Sequence, residues 1–341
     1  MHSPRAPVYR EEVNGAARIW VGLLGLGLLA ASCGSSGGGG FTGSGTGVVT
    51  EFRLPTPGLG PGRITAGIDG SLWLLGTASS RTAILRVTPD GVFTEFALPS
   101  TIRFPSGLIS GTDGFLWFVD QANHLEQVDP GGGAVQGFAA MDPSAIALGP
   151  DRNFWVPEFN GGKVDVYSAS GAKLHSYPAP TIPSGRQLES IALGDDGNLW
   201  ITTFSGENVI RMTPGGSTAT FVYTAQVSGT FREITRGPDG NLWLCAEDAS
   251  AIVRLTLAGA MTVYPLPTAG ADPNGITTGS DGNLWFTEYH ANQIGRITPS
   301  GVITEFPIPT AGSGPFGITA GPDGNLWFTE AVANQVAKIH P

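Results

Sequence analysis

The chain has 341 residues, of which 13% are charged and 41% apolar, with 51 Gly, 26 Pro and a formal net charge of −10. Long amphipathic helices need charged and straight-chain residues at helical spacing, so this composition argues against a helical bundle and for short strands joined by tight turns. An acidic chain without a Lys/Arg cluster repels a phosphate backbone, which argues against nucleic acid as a partner.

In chain order, residues 1–18 carry three Arg, and Ile19 to Ala31 is an uncharged apolar run of 13 residues. A helix of that length reaches about 20 Å, too short to span a bilayer. Residues 1–32 therefore read as a signal peptide. The run ends Leu28-Leu29-Ala30-Ala31-Ser32-Cys33, which resembles the lipobox of bacterial lipoproteins with its Leu displaced by one position. That resemblance implies an acylated Cys33 and an exported protein anchored to the membrane of the cell envelope. Ordinary cleavage after a small residue is the alternative. Residues 33–47 are almost all Gly, Ser and Thr and suit a flexible tether. The other cysteine, Cys245, lies in the apolar run Leu242-Trp243-Leu244-Cys245 and reads as a small buried hydrophobe. Two cysteines make neither a disulfide framework nor a Cys-rich zinc site.

From residue 48 onward the chain repeats itself. Seven tryptophans mark the copies, Trp73, Trp117, Trp155, Trp200, Trp243, Trp285 and Trp327, at spacings of 44, 38, 45, 43, 42 and 42 residues. In the sixth copy Gly275–Thr278, Leu284–Glu288, Ile294–Ile297 and Val302–Phe306 read as strands, separated by Ser-Asp-Gly-Asn, His-Ala-Asn and Pro-Ser-Gly turns. Pro307 and Pro309 should then stop the pairing. Four antiparallel strands per repeat predict one propeller blade, and seven repeats an all-β, seven-bladed ring over 48–341. A parallel β-helix fits less well, because its repeats are shorter. The seventh copy ends at Pro341 without a fourth strand, and Val48-Val49-Thr50-Glu51-Phe52 echoes Val302-Ile303-Thr304-Glu305-Phe306. The N-terminal strand should complete the last blade and remove an open edge. Each Trp should fill the space between blades.

Units such as Gly317-Ile318-Thr319-Ala320-Gly321-Pro322-Asp323-Gly324-Asn325-Leu326-Trp327-Phe328-Thr329-Glu330, with Asn292-Gln293-Ile294-Gly295-Arg296-Ile297-Thr298, resemble the streptogramin lyases, the virginiamycin B lyase family. The resemblance spans the ring and is strongest over 231–341. It implies opening of a cyclic depsipeptide by elimination at its ester, with Mg²⁺ as electrophile and a histidine as base. A family histidine maps onto Asn274, and a Glu-Pro-His triplet onto Gly314-Pro315-Phe316. A family glutamate maps onto Glu330, which is kept. Proton abstraction needs a group titrating near working pH, and neither Asn274 nor Phe316 offers one.

Aligning the units on their Trp places Gly62, Ser106, Ser144, Glu189, Arg232 and Asn274 opposite Phe316, and Gly76, Asp120, Glu158, Thr203, Ala246 and Glu288 opposite Glu330. Asp120, Glu158, Glu189, Glu288 and Glu330, with Arg232 and Asn274, are thus expected to line one mouth of the ring. They would hold Mg²⁺ or Ca²⁺, with Glu330 as the metal ligand, or simply be solvated. His290 stands in a turn near that rim, whereas His124, His175 and His340 have no expected role. The Asp-Gly pairs at Asp69, Asp113, Asp196, Asp239, Asp281 and Asp323 read as hairpin turns. Two functions remain open. One is a surface binding or scaffold propeller, a monomer taking a small molecule, a peptide or a surface partner. The other is a divergent metal-assisted lyase or hydrolase working through rim carboxylates. A sugar-lactone hydrolase of the gluconolactonase kind is a more distant third.

Overall fold

The computed structural model describes residues 46–341 apart from 80, 132, 134, 181–186, 205–207, 224–226 and 228, so the expected signal peptide and Cys33 lie outside the described residues. The described chain forms seven four-stranded antiparallel sheets. The first blade is Gly60–Ala66, Leu72–Ala78, Arg81–Val87 and Phe93–Ala97. The sixth is Pro273–Thr278, Leu284–Glu288, Gln293–Ile297 and Ile303–Pro307. Pro307 is the last paired residue of its strand, opposite Gln293, rather than the residue that stops pairing. An outermost strand tolerates proline because one of its sides needs no donor.

The seventh blade borrows its outer strand. Val49–Arg53 pairs with Gln335–Ile339 over five residues, Val49 opposite Ile339 and Arg53 opposite Gln335. Phe52 stacks on Trp327 at 5.4 Å, and Trp327 in turn packs with Leu59, Ile64, Leu72 and Leu85 of the first blade. One strand therefore closes the ring.

All seven repeat tryptophans are buried, each against residues of the following blade. The turn before each Trp has a defined task. The carboxylate of Asp281 accepts the Asn283 amide at 3.1 Å and the Trp285 Nε1 proton at 3.1 Å, and the same pair recurs from Asp69–Trp73 to Asp323–Trp327. An indole N–H buried without a partner would cost about 1–3 kcal/mol, so the turn aspartates complete the core. The third blade is the most irregular: its innermost strand is reduced to Ala147–Leu148 plus a bridge between Pro143 and Glu158.

Candidate functional site at the axial mouth

The innermost strands lie against one another around the axis. Six of them carry a bulge where the Trp alignment places the candidate residues, with register breaks at Pro61/Ile64, Ser106/Ile109, Leu188/Ile191, Phe231/Ile234, Pro273/Ile276 and Pro315/Ile318. A bulge leaves extra residues unpaired and re-aims their side chains. Threonines of the second strands hold these bulges in place. Thr329 Oγ1 accepts the Gly317 amide at 2.9 Å and donates to the Gly62 carbonyl of the next blade at 2.8 Å; Thr287 does the same for Gly275 and Phe316. Cys245 occupies the equivalent place in the fifth blade, fully buried, its Sγ 3.8 Å from the Gly275 carbonyl. Burial pushes its thiol well above the usual range.

The bulges bring together residues 170 positions apart. Arg63 of the first blade reaches across the axis to Glu233 of the fifth, Nη1 to Oε2 at 2.6 Å, and its guanidinium carbon lies 5.3 Å from the ring centre of Phe316. Both ends of the ion pair stay partly accessible. The mouth is thus spanned by a guanidinium resting on an aromatic ring.

Beside it, Arg232 pairs with Glu247 and with Glu189 (3.4 Å) and lies over Phe204 at 5.2 Å. His290, two-thirds exposed, has Nδ1 3.0 Å from Asp272 Oδ2. Burial and then the neighbouring Glu247 raise the Asp272 carboxyl to about 6, against the opposing pull of His290 and Arg232. Glu189 and Arg232 do meet at the mouth, and the exposed His290 is joined to them through Asp272.

The remaining carboxylates require a correction. Asp120, Glu158, Glu288 and Glu330 do not line the mouth: their exposures are 0%, 2%, 0% and 0%. Asp120, Glu288 and Glu330 end their second strands and Glu158 directly follows one, and all four side chains are enclosed. Glu288 sits over Gly295, opposite Glu305, and burial followed by the Glu305 charge raises it to about 8. Burial and then Glu51 raise Glu330 to about 7. The Glu288 carboxyl has no hydrogen-bond partner and Glu330 has only the Ser313 hydroxyl beside it, while Glu305 and Glu51 are held by the amides and hydroxyls of Thr268 and Thr310. Burial with Asp165 beside it raises Glu158 in the same way.

At the family positions, Asn274 is buried with its Oδ1 unpartnered and Phe316 underlies Arg63. Gly314 has φ +64°, and a Cβ there would meet Val332 at 2.7 Å and Tyr289 at 3.1 Å, leaving no room for a glutamate. With Glu330 enclosed, no room for an acid at Gly314, and an amide and a phenyl ring at the two histidine positions, these residues do not fit a bound Mg²⁺. Sequence reading missed Arg63, Glu233, Glu247 and Asp272. The second bulge slot carried a signal: it reads Arg63, Gly107, Ser190, Glu233, Gly275 and Gly317, two opposite charges among small residues.

A seven-bladed propeller with its polar residues on bulged inner strands at one mouth is the class of protein defined here. The profile described as the virginiamycin B lyase family matches residues 42–140 and 134–341, so the chain belongs to the virginiamycin B lyase family. A catalytically inactive His-to-Ala variant of virginiamycin B lyase from Staphylococcus aureus, solved with quinupristin, is 30% identical at a TM-score of 0.78, covering 86% of this chain and 99% of that one. A structure of streptogramin B lyase is also 30% identical, with a TM-score of 0.77 and coverage of 86% and 97%. The extracellular domain of a hybrid two-component system from B. thetaiotaomicron shares the fold alone, at 18% identity, a TM-score of 0.66 and coverage of 84% and 39%. No curated protein matches the chain.

Proposed function

We propose that this member of the family is an exported, lipid-anchored propeller that binds a small molecule or peptide at its axial mouth without the family's elimination chemistry. The observation that carries this reading is Phe316, held under Arg63 where the family places its base. A guanidinium on an aromatic face, backed by Glu233, offers recognition of planar and anionic groups and no proton acceptor of suitable strength. A group B streptogramin incubated with the protein and Mg²⁺ should stay cyclic by mass spectrometry, while a panel of small esters and depsipeptides should include compounds that raise the melting temperature of wild type but not of Arg63→Ala. Rapid ring opening that Glu330→Gln abolishes would overturn the binding reading. For the anchor, Cys33→Ala should shift the protein from membrane to soluble fractions or leave its leader uncleaved; a processed variant that partitions like wild type would refute lipidation.

A second reading, a divergent hydrolase or lyase, is favoured by the Asp272–His290 pair, whose carboxyl titrates near neutrality at an accessible rim. It requires ester turnover that Asp272→Asn eliminates while leaving the melting temperature in place.

A further inference from the structure

A second polar cluster lies away from the mouth, on the face of the second blade. There Asp120 ends the second strand, Leu116–Asp120, and His124 and Glu126 lie on the third, His124–Val128. Asp120 pairs directly with His124 across the turn, and alternation puts Glu126 on the same face. One ligand atom from each of the three lies within 4.8 Å of the others, and among the described residues this is the group of three that could share a metal ion.

We infer that Asp120, His124 and Glu126 form a binding site for a divalent first-row transition metal, with Zn²⁺ as its probe. Three observations support this. The first is spacing: His124 Nδ1 is 3.5 Å from Asp120 Oδ1 and 3.9 Å from Glu126 Oε1. Ligands on tetrahedral zinc at about 2.1 Å stand about 3.4 Å apart, so a small closure brings the set onto one ion. The second is orientation. Asp120 accepts the amides of Arg103 at 3.2 Å and His124 at 3.0 Å, which fixes its carboxylate as outer-shell bonds do for metal ligands.

The third observation is Glu126 itself. Its side chain is 6% exposed, no hydrogen-bond donor among the described residues reaches it, and its only charged partner is His124. Asp120 has a structural task in holding two amides, but Glu126 has none. Oxygens of Asp120 and Glu126 lie within 4.8 Å of each other, so a cation there relieves both acids together. Gly137 lies opposite on the outer strand, where a Cβ would come within 3.0 Å of the Glu126 oxygens, so the backbone leaves the carboxylate its space. The imidazole remains 40% exposed, which provides an entry path and a face for water to complete the shell.

In the sixth and seventh blades the residues matching His124 are Gln293 and Gln335, and the outer-strand acids there are already satisfied by threonines. Only the second blade combines an imidazole with an unsatisfied acid among these three. One nitrogen and two carboxylate donors favour Zn²⁺, Mn²⁺ or Fe²⁺ over Ca²⁺ and Mg²⁺.

The test is calorimetric titration of the chelator-treated full chain with Zn²⁺. Wild type and the control His290→Ala should each take up zinc at a site that His124→Ala and Glu126→Gln weaken by at least about tenfold. Zinc should also raise the melting temperature of the first two proteins and not of the last two, each variant being checked for its own metal-free melting transition. Equal excess Mg²⁺ should leave the zinc isotherm unchanged. Absence of stoichiometric uptake by wild type, or uptake unaltered by both His124→Ala and Glu126→Gln, would overturn the site.

Discussion

Replacing Glu288 by Gln should make the ring less sensitive to alkaline pH. The carboxyl is fully enclosed and raised from 4.5 to about 8 by burial and by Glu305, so the fold holds its proton where the unfolded chain releases it. Between those two values the native state binds more protons than the unfolded state, and stability falls as pH rises. At about 1.4 kcal/mol per unit, Glu288 should withdraw on the order of 3 kcal/mol between pH 5 and pH 8. Gln is close to isosteric with the protonated acid and does not titrate, so Glu288→Gln should match wild type at pH 5 and exceed it by about that amount at pH 8. Urea unfolding at the two pH values measures the difference directly. In thermal melts the gap should be roughly 6–9 °C for a domain of this size. Glu330 titrates in the same direction in both proteins, so the difference between them isolates Glu288. Equal losses of stability in variant and wild type from pH 5 to pH 8 would refute the buried, protonated state.

Deleting residues 48–55 should lower stability by about 5 kcal/mol or more, since it removes five backbone pairs and the buried contacts of Phe52 and Leu54. Removing eight residues from within 34–45 should leave the melting temperature unchanged; equal effects would contradict closure by the first strand. Asp281→Ala should cost about 1–3 kcal/mol, because Trp285 Nε1 keeps its burial and loses its acceptor. Gly301→Ala should cost roughly 2 kcal/mol, since φ is +94° and the new methyl would meet the ring of Tyr264. Both are read from denaturant midpoints, and a change below about 0.5 kcal/mol in either would contradict the assigned contact.

Number of blades, closure and the role of the tryptophans were legible because each rests on a local pattern: a Trp and an Asp four residues before it in every copy, and a Val-x-Thr-Glu-Phe strand displaced to the start of the ring. The site was legible only in part. Aligning the copies found the bulge positions Glu189, Arg232, Asn274 and Phe316, because one repeat gives one register. It misplaced Asp120, Glu158, Glu288 and Glu330, because register fixes a residue's height along the blade and not the face that the next blade covers.

The sequence by itself determined the repeat, and with it the all-β ring, the borrowed strand and the loss of three family side chains, since period and residue identity are properties of one chain read in order. Only the tertiary structure decided which groups meet. Arg63 and Glu233 lie 170 residues apart and pair because a closed ring turns their bulges toward a common axis. The Glu288 and Glu330 carboxyls are pushed up because the folded ring excludes water from faces that an isolated blade would leave open.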